Sequence, residues 1–350
     1  MSAGRRKRSR EQDVTERYLA GDMDDDAGNK NQKYNNRAKI AQQEKIVRTT
    51  AMRAAAAAAG PEDAESLPTG QVTQVYSLFC EVLSNGIVWL CTTRKTLTKV
   101  TSSAIVVGDR VRFRESGNKD DLGRPEAVIE QVLPRDTILT RADSFTGRNQ
   151  HPIVANADQM LIVVSLLHPA VKWGLVDRML IAAQSGKLKP IICLNKIDLA
   201  GDDPDGRALL AEADGVLMHY QSLGAEALRT SVDGNVGLTA LRDLLKGRAT
   251  VLAGHSGVGK SSLISSIQPK LDIRIGEVSD YTAKGRHTTT SARRYPLDFG
   301  GEVIDTPGVK MFGLWGVTRE NLDDFFPDVT AGTAPPWRVE SHQRIRASMA

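Results

Sequence analysis

The stretch Gly254-His255-Ser256-Gly257-Val258-Gly259-Lys260-Ser261 decides the fold. It fits GxxxxGK[ST], follows the apolar run Thr250 to Ala253 and opens a helical pattern, Ser261 to Ile267, that stops near Pro269. Strand, glycine loop and helix in that order form a phosphate cradle. Glycines let backbone N–H groups curl round a phosphate, and the helix N-terminus adds partial positive charge. Lys260 is expected to reach the β- and γ-phosphates as a catalytic charge, Ser261 to ligate Mg²⁺, and Ser262 to extend the binding set. His255 lies in the variable part of the loop, so its side chain is not expected to act on the phosphate.

Working outward, Asn195-Lys196-Ile197-Asp198 follows the buried run Pro190 to Leu194 and fits NKxD. The Asp198 carboxylate can accept from the N1–H and exocyclic amine of guanine, groups that adenine does not present. Asn195 can meet the other polar edge and brace the loops, while the Lys196 stem covers the ring. Ser231-Val232 resembles a guanine loop with Val in the usual Ala position, and only its backbone is expected to contact the base. Asp305-Thr306-Pro307-Gly308 follows the strand Glu302 to Ile304; Asp305 is placed to hold Mg²⁺ and the Gly308 N–H to sense the γ-phosphate. Between them, in Gly285-Arg286-His287-Thr288-Thr289-Thr290, one of the three threonines is the expected Mg²⁺ ligand, with Thr289 the working assignment. In the usual order the phosphate loop precedes NKxD, so the domain reads as circularly permuted.

Apolar runs alternating with helical patterns (Leu175 to Ala183, Gly206 to Ala213, Gly237 to Leu245) predict an α/β domain with a mainly parallel sheet over 151–315. Ahead of it, 67–150 carries short β-type segments (Val72 to Phe79, Gly86 to Thr92, Arg110 to Arg114, Ala127 to Val132) with turns at Asn85-Gly86 and Gly108-Asp109, which suits a small all-β barrel of the oligonucleotide-binding type. Its aromatics Tyr76, Phe79, Trp89, Phe113 and Phe145 and bases Arg94, Lys95, Lys99, Arg110, Arg112 and Arg114 could serve stacking and phosphate contacts, although a barrel this small needs aromatics for its core. Residues 1–66 read as a basic, largely disordered tail: an RNA-binding arm or simply a solvated segment. Residues 316–350 read as a short helical segment.

Composition narrows the class. The 350 residues carry 46 Lys plus Arg against 42 Asp plus Glu, and no apolar run approaches the roughly 20 residues of a membrane helix. The three cysteines, Cys80, Cys91 and Cys193, are far apart in sequence without CxxC spacing, which argues against a disulfide framework or cysteine zinc cluster and for a reducing, cytoplasmic setting.

With its permuted order, the GRHTTT segment, DTPGVKMFGLW and a barrel in front, the chain resembles the RsgA (YjeQ/EngC) family of ribosome small-subunit-dependent GTPases over roughly residues 70 to 326. The resemblance implies a GTP hydrolase that uses Mg²⁺, is stimulated by the 30S subunit, contacts 16S rRNA through its barrel and is released on hydrolysis as a late assembly factor; a monomer is expected. It also places the catalytic role on His287, since Val309 stands where Ras-like enzymes carry a water-orienting glutamine, the competing view being a histidine that only shapes its loop. Family members usually follow the Asp-Pro-Gly segment with a helical domain holding zinc through three cysteines and a histidine; the cysteine count leads us to expect no zinc here, with His342 a lone histidine in a polar helical stretch. The alternative is a non-ribosomal GTP-binding switch with negligible hydrolysis.

Overall fold

The computed structural model describes residues 64–76, 78–93, 104–142, 150–269, 271, 292–306 and 312–349. The basic tail up to residue 63, and with it Arg94, Lys95, Lys99, Phe145, His287, Thr289 and Gly308, lies outside the described residues.

Five strands, β1 (Thr69–Val75), β2 (Cys80–Ser84), β3 (Ile87–Thr93), β4 (Arg110–Lys119) and β5 (Pro125–Val132), pair in the order β1-β2-β3-β5-β4, and β4 closes on β1. Only β3–β5 is parallel. This is a closed Greek-key barrel of the oligonucleotide-binding type. The β2–β3 turn is Asn85-Gly86 with φ of 49° and 77°, both in the left-handed region that a two-residue hairpin requires. The single strand expected over Val72 to Phe79 is instead broken: β1 ends at Val75, and the Tyr76 N–H donates to the Phe79 carbonyl at 2.7 Å to turn the chain into β2. Phe113 is fully buried with Trp89 tilted against it at 5.1 Å, so the barrel core consumes these two aromatics. The expected phosphate contact of Arg114 is corrected in the same way, since it is buried and pairs with Glu130, while Arg110 is exposed and paired with the exposed Asp136. Cys80 and Cys91, distant in sequence, sit opposite one another on β2 and β3; both are buried and free, and burial pushes the Cys80 thiol up to about 12.

A two-stranded hairpin, β6 (Ile138–Ala142) and β7 (Gln150–Ala155), follows the barrel. Then come β8 (Gln159–Ser165), α1 (Trp173–Ser185), β9 (Lys189–Asn195), α2 (Pro204–Ser222), β10 (Glu226–Arg229), α3 (Leu238–Leu245), β11 (Ala249–Ala253), α4 (Lys260–Ile267), β12 (Arg293–Pro296) and β13 (Glu302–Asp305). Their order across the sheet is β10-β9-β8-β11-β13-β12, parallel except for β12. Every residue of β8 is buried, and its side chains alternate between two cores. Met160, Ile162 and Val164 join α1 and α2; Leu161 and Val163 join α3 and α4. A sheet covered on both faces explains why its strands read as continuous apolar runs.

The barrel and this sheet share one edge, since Gln74 of β1 pairs with Arg293 of β12. Gly108 (φ 92°) allows close approach there: a Cβ would lie 1.8 Å from the Ala155 carbonyl oxygen.

The C-terminal segment supplies α5 (Pro327–Thr330) and α6 (Pro336–Ala347). Arg338, 4% exposed, donates to Asp177 of α1 and, at 3.2 Å, to Asp328, while its guanidinium lies 4.1 Å from the Phe326 ring centroid. The Tyr220 hydroxyl donates to Asp177 at 2.6 Å, and His219 and Asp328 are hydrogen-bonded at 2.8 Å. Desolvation pushes the Asp177 carboxyl up despite the Arg338 charge beside it. The stretch around His342 is therefore not simply a polar helix face. His342 is buried, hydrogen-bonded to Asp323 at 2.7 Å and edge-on to Phe326. Among the described residues no helix is long and apolar enough to cross a membrane.

Candidate nucleotide site

The motif residues described here converge at one end of one sheet. Asn195 ends β9, Ser231 follows β10, Gly254 follows β11 and Asp305 ends β13, so parallel strands deliver all four to their carboxyl ends, the usual ligand edge of such sheets.

On the guanine side the polar groups are already fastened. Asn195, 2% exposed, donates from Nδ2 to the Val258 carbonyl at 2.9 Å and accepts from the Thr230 hydroxyl at 2.9 Å. It braces the phosphate loop against the strand leading to the guanine loop. Gly259 makes room for this, because a Cβ there would lie 2.4 Å from Asn195 Nδ2. Lys196, held at φ 60°, donates from Nζ to the Gly257 and His168 carbonyls, each at 2.6 Å. Asp198 is exposed, and the Ser231 hydroxyl donates to its Oδ1. Ser231 is itself fully buried and accepts from the Gly234 N–H at 2.7 Å. The role expected for Ser231 was confined to its backbone; its side chain also aims the carboxylate. Val232 packs partly against the α3–α4 core, so the larger side chain is accommodated.

On the phosphate side, Gly254 has φ 134°, and a Cβ there would meet the Val163 carbonyl oxygen at 2.2 Å. Gly259 caps α4 in the left-handed region. Ser256, Gly257 and His255 are exposed along the loop, Val258 is buried beneath it, and Ser261 and Ser262 occupy the first turn of α4. Lys260 Nζ donates to the Gly254 and His255 carbonyls at 2.8 and 2.9 Å. Burial pulls the Lys260 ammonium down, partly offset by the charge of Asp305. The buried Asp305 carboxyl is pushed up to about 6 by desolvation, against the opposing pull of Lys260 and the Thr306 N–H.

The residues sequence reasoning missed are Thr230, fully buried, and the Ser231 hydroxyl. Two polar residues closing a short strand ahead of the loop were the only available signal.

This edge and its wiring define a circularly permuted P-loop GTPase domain behind a five-stranded barrel. The RsgA GTPase profile matches residues 132–315. The protein called small ribosomal subunit biogenesis GTPase RsgA in Yersinia enterocolitica is 38% identical over 245 residues, covering 69% of this chain and 66% of its own length. The Proteus mirabilis protein of that name is also 38% identical, over 76% of this chain and 80% of its own. The chain thus spans about two thirds of the Yersinia protein. YjeQ from Thermotoga maritima superposes with a TM-score of 0.60 at 28% identity, covering 81% of this chain and 98% of its own. YloQ, described as a circularly permuted GTPase, gives 0.58 at 22% identity, over 83% and 97%. The chain belongs to the RsgA GTPase family.

Proposed function

We propose that this protein hydrolyses GTP as a late assembly factor of the small ribosomal subunit, binding 16S rRNA through its barrel and leaving the particle after hydrolysis. The observation that carries the reading is the meeting of a guanine-reading carboxylate, Asp198 aimed by Ser231, with the Lys260–Asp305 charge pair on one sheet edge. An adenine-specific site has no use for the first, and a guanine-binding module without phosphate chemistry has no use for the second.

The donor set fits Mg²⁺: an oxygen-only set of Ser261, Thr289 and Asp305 suits a hard cation, and a buried carboxylate whose acidity is suppressed by desolvation gains most from a nearby positive charge. Bound Mg²⁺ supplies positive charge to the phosphate oxygens. The chain's own groups do the rest. Asp198 accepts from the guanine edge, the loop N–H groups and the Gly308 N–H hold phosphate oxygens, and Lys260 stabilises charge on the transferring group. His287 takes or orients the proton of the attacking water. No zinc enters this reading, and the working unit is a cytoplasmic monomer organised as tail 1–66, barrel 67–150, GTPase domain 151–315 and C-terminal segment 316–350.

GTP turnover measured with and without purified 30S subunits tests the proposal. Strong stimulation supports it, and an unchanged rate sinks the ribosomal reading. His287→Ala is expected to retain nucleotide binding and lose stimulated turnover; normal hydrolysis would remove His287 from the mechanism.

A further inference from the structure

A cleft of about 260 Å³ opens where three parts of the molecule meet. Val75 and Ile105 come from the barrel side, Arg141 and His151 from the β6–β7 hairpin, and Ala292 and Thr306 from the strands flanking the nucleotide site. Its walls are mainly aliphatic, and among the described residues no acidic side chain lines it. Arg141 and His151 are exposed register partners on the two hairpin strands, so their side chains share one face. Two bases placed directly opposite each other repel when both are charged, and a bound anion removes that cost. The contrast with the neighbouring arginines is instructive. Arg110, Arg114, Arg124 and Arg135 are each neutralised by an Asp or Glu, whereas Arg141 and His151 form no ion pair among the described residues.

We propose that this cleft is a second nucleotide-recognition site, taking one flat base between its aliphatic walls and the attached phosphate on Arg141 and His151. The volume suits a single ring system, being below the roughly 300–1,000 Å³ of pockets for drug-sized ligands. An unpaired nucleotide of an RNA strand and a free nucleoside monophosphate present the same chemistry; that the source is RNA rests on the ribosomal reading above. Occupancy is felt at the GTP site through short links. Thr306 directly follows Asp305, Ala292 precedes β12, and Arg141 forms a backbone bridge to Phe312.

The test uses the full chain saturated with GDP, so that the guanine site is filled, and no ribosomal subunits, so that its outcome is independent of 30S stimulation. Binding of the trinucleotide ApApA and of AMP is measured by calorimetry for the wild type, for Arg141→Gln with His151→Gln, and for Ala104→Trp, which fills the cleft from an exposed rim position. At least one of the two ligands is expected to bind the wild type and to bind both variants tenfold or more weakly. ApApA binding alone assigns the site to a strand, and AMP binding with equal strength assigns it to a free nucleotide. Absence of wild-type binding, or binding that neither variant weakens, overturns the proposal.

Discussion

The two halves of the proposed nucleotide site are built differently. On the guanine side Asn195, Lys196, Asp198, Thr230 and Ser231 are joined by hydrogen bonds that span three loops, and each reading group is held by a neighbour. On the phosphate side Lys260 donates to its own loop's carbonyls, and Asp305 is a buried carboxyl held close to neutral pH. The base side is thus preorganised by hydrogen bonds between residues far apart in sequence, whereas the phosphate side stores unfavourable electrostatics that a charged ligand relieves. Substitutions on the first side should change which base is chosen, and on the second how strongly charge is handled.

The largest effect is expected at Lys260→Ala, which should lower single-turnover GTP hydrolysis by roughly 10²–10³-fold, the usual loss when a transition-state charge partner is removed. Asp198→Asn should follow, with GDP affinity falling about 100-fold and XDP affinity rising in a calorimetric titration, because the hydrogen-bond polarity at the base edge is inverted. Asp305→Asn separates the halves in another way. A carboxyl raised from 3.8 to about 6 in the folded state makes stability fall as pH climbs through that window. The neutral amide avoids this loss, so the nucleotide-free variant should be more stable than wild type at pH 7 by on the order of 3 kcal/mol, with the gap closing near pH 4 in urea titrations. A variant less stable at pH 7 would contradict the electrostatic account. Ser231→Ala should cost the least, about tenfold in GDP affinity with ATP still excluded, since one hydrogen bond to a charged group is lost.

The contrast also explains what the sequence could reveal. The glycines of the phosphate loop and the carboxylates at strand ends are legible because backbone geometry and ligand chemistry dictate residue type: Gly254 and Gly259 leave no room for a Cβ. The permuted order and the two-faced sheet follow from apolar runs and motif positions alone. Thr230 and the Ser231 hydroxyl were not legible, since their partners, Asn195 and Asp198, lie more than 30 residues away and only folding joins them. The break between Val75 and Cys80 was missed because no Gly or Pro marks it; closure of the barrel, not local preference, turns the chain there. Likewise Arg114 looked like a phosphate ligand until Glu130 was brought beside it by β4–β5 pairing, and His342 looked solvated until α6 laid it on Phe326.

The central claim is that a preformed guanine reader sits beside a phosphate cradle. Titration of the wild-type protein with GDP and with ADP under identical Mg²⁺ tests it most directly. The account predicts a preference for GDP of about 10³-fold or more, as expected of a site that hydrogen-bonds groups its competitor lacks. Equal affinities for the two nucleotides would contradict it.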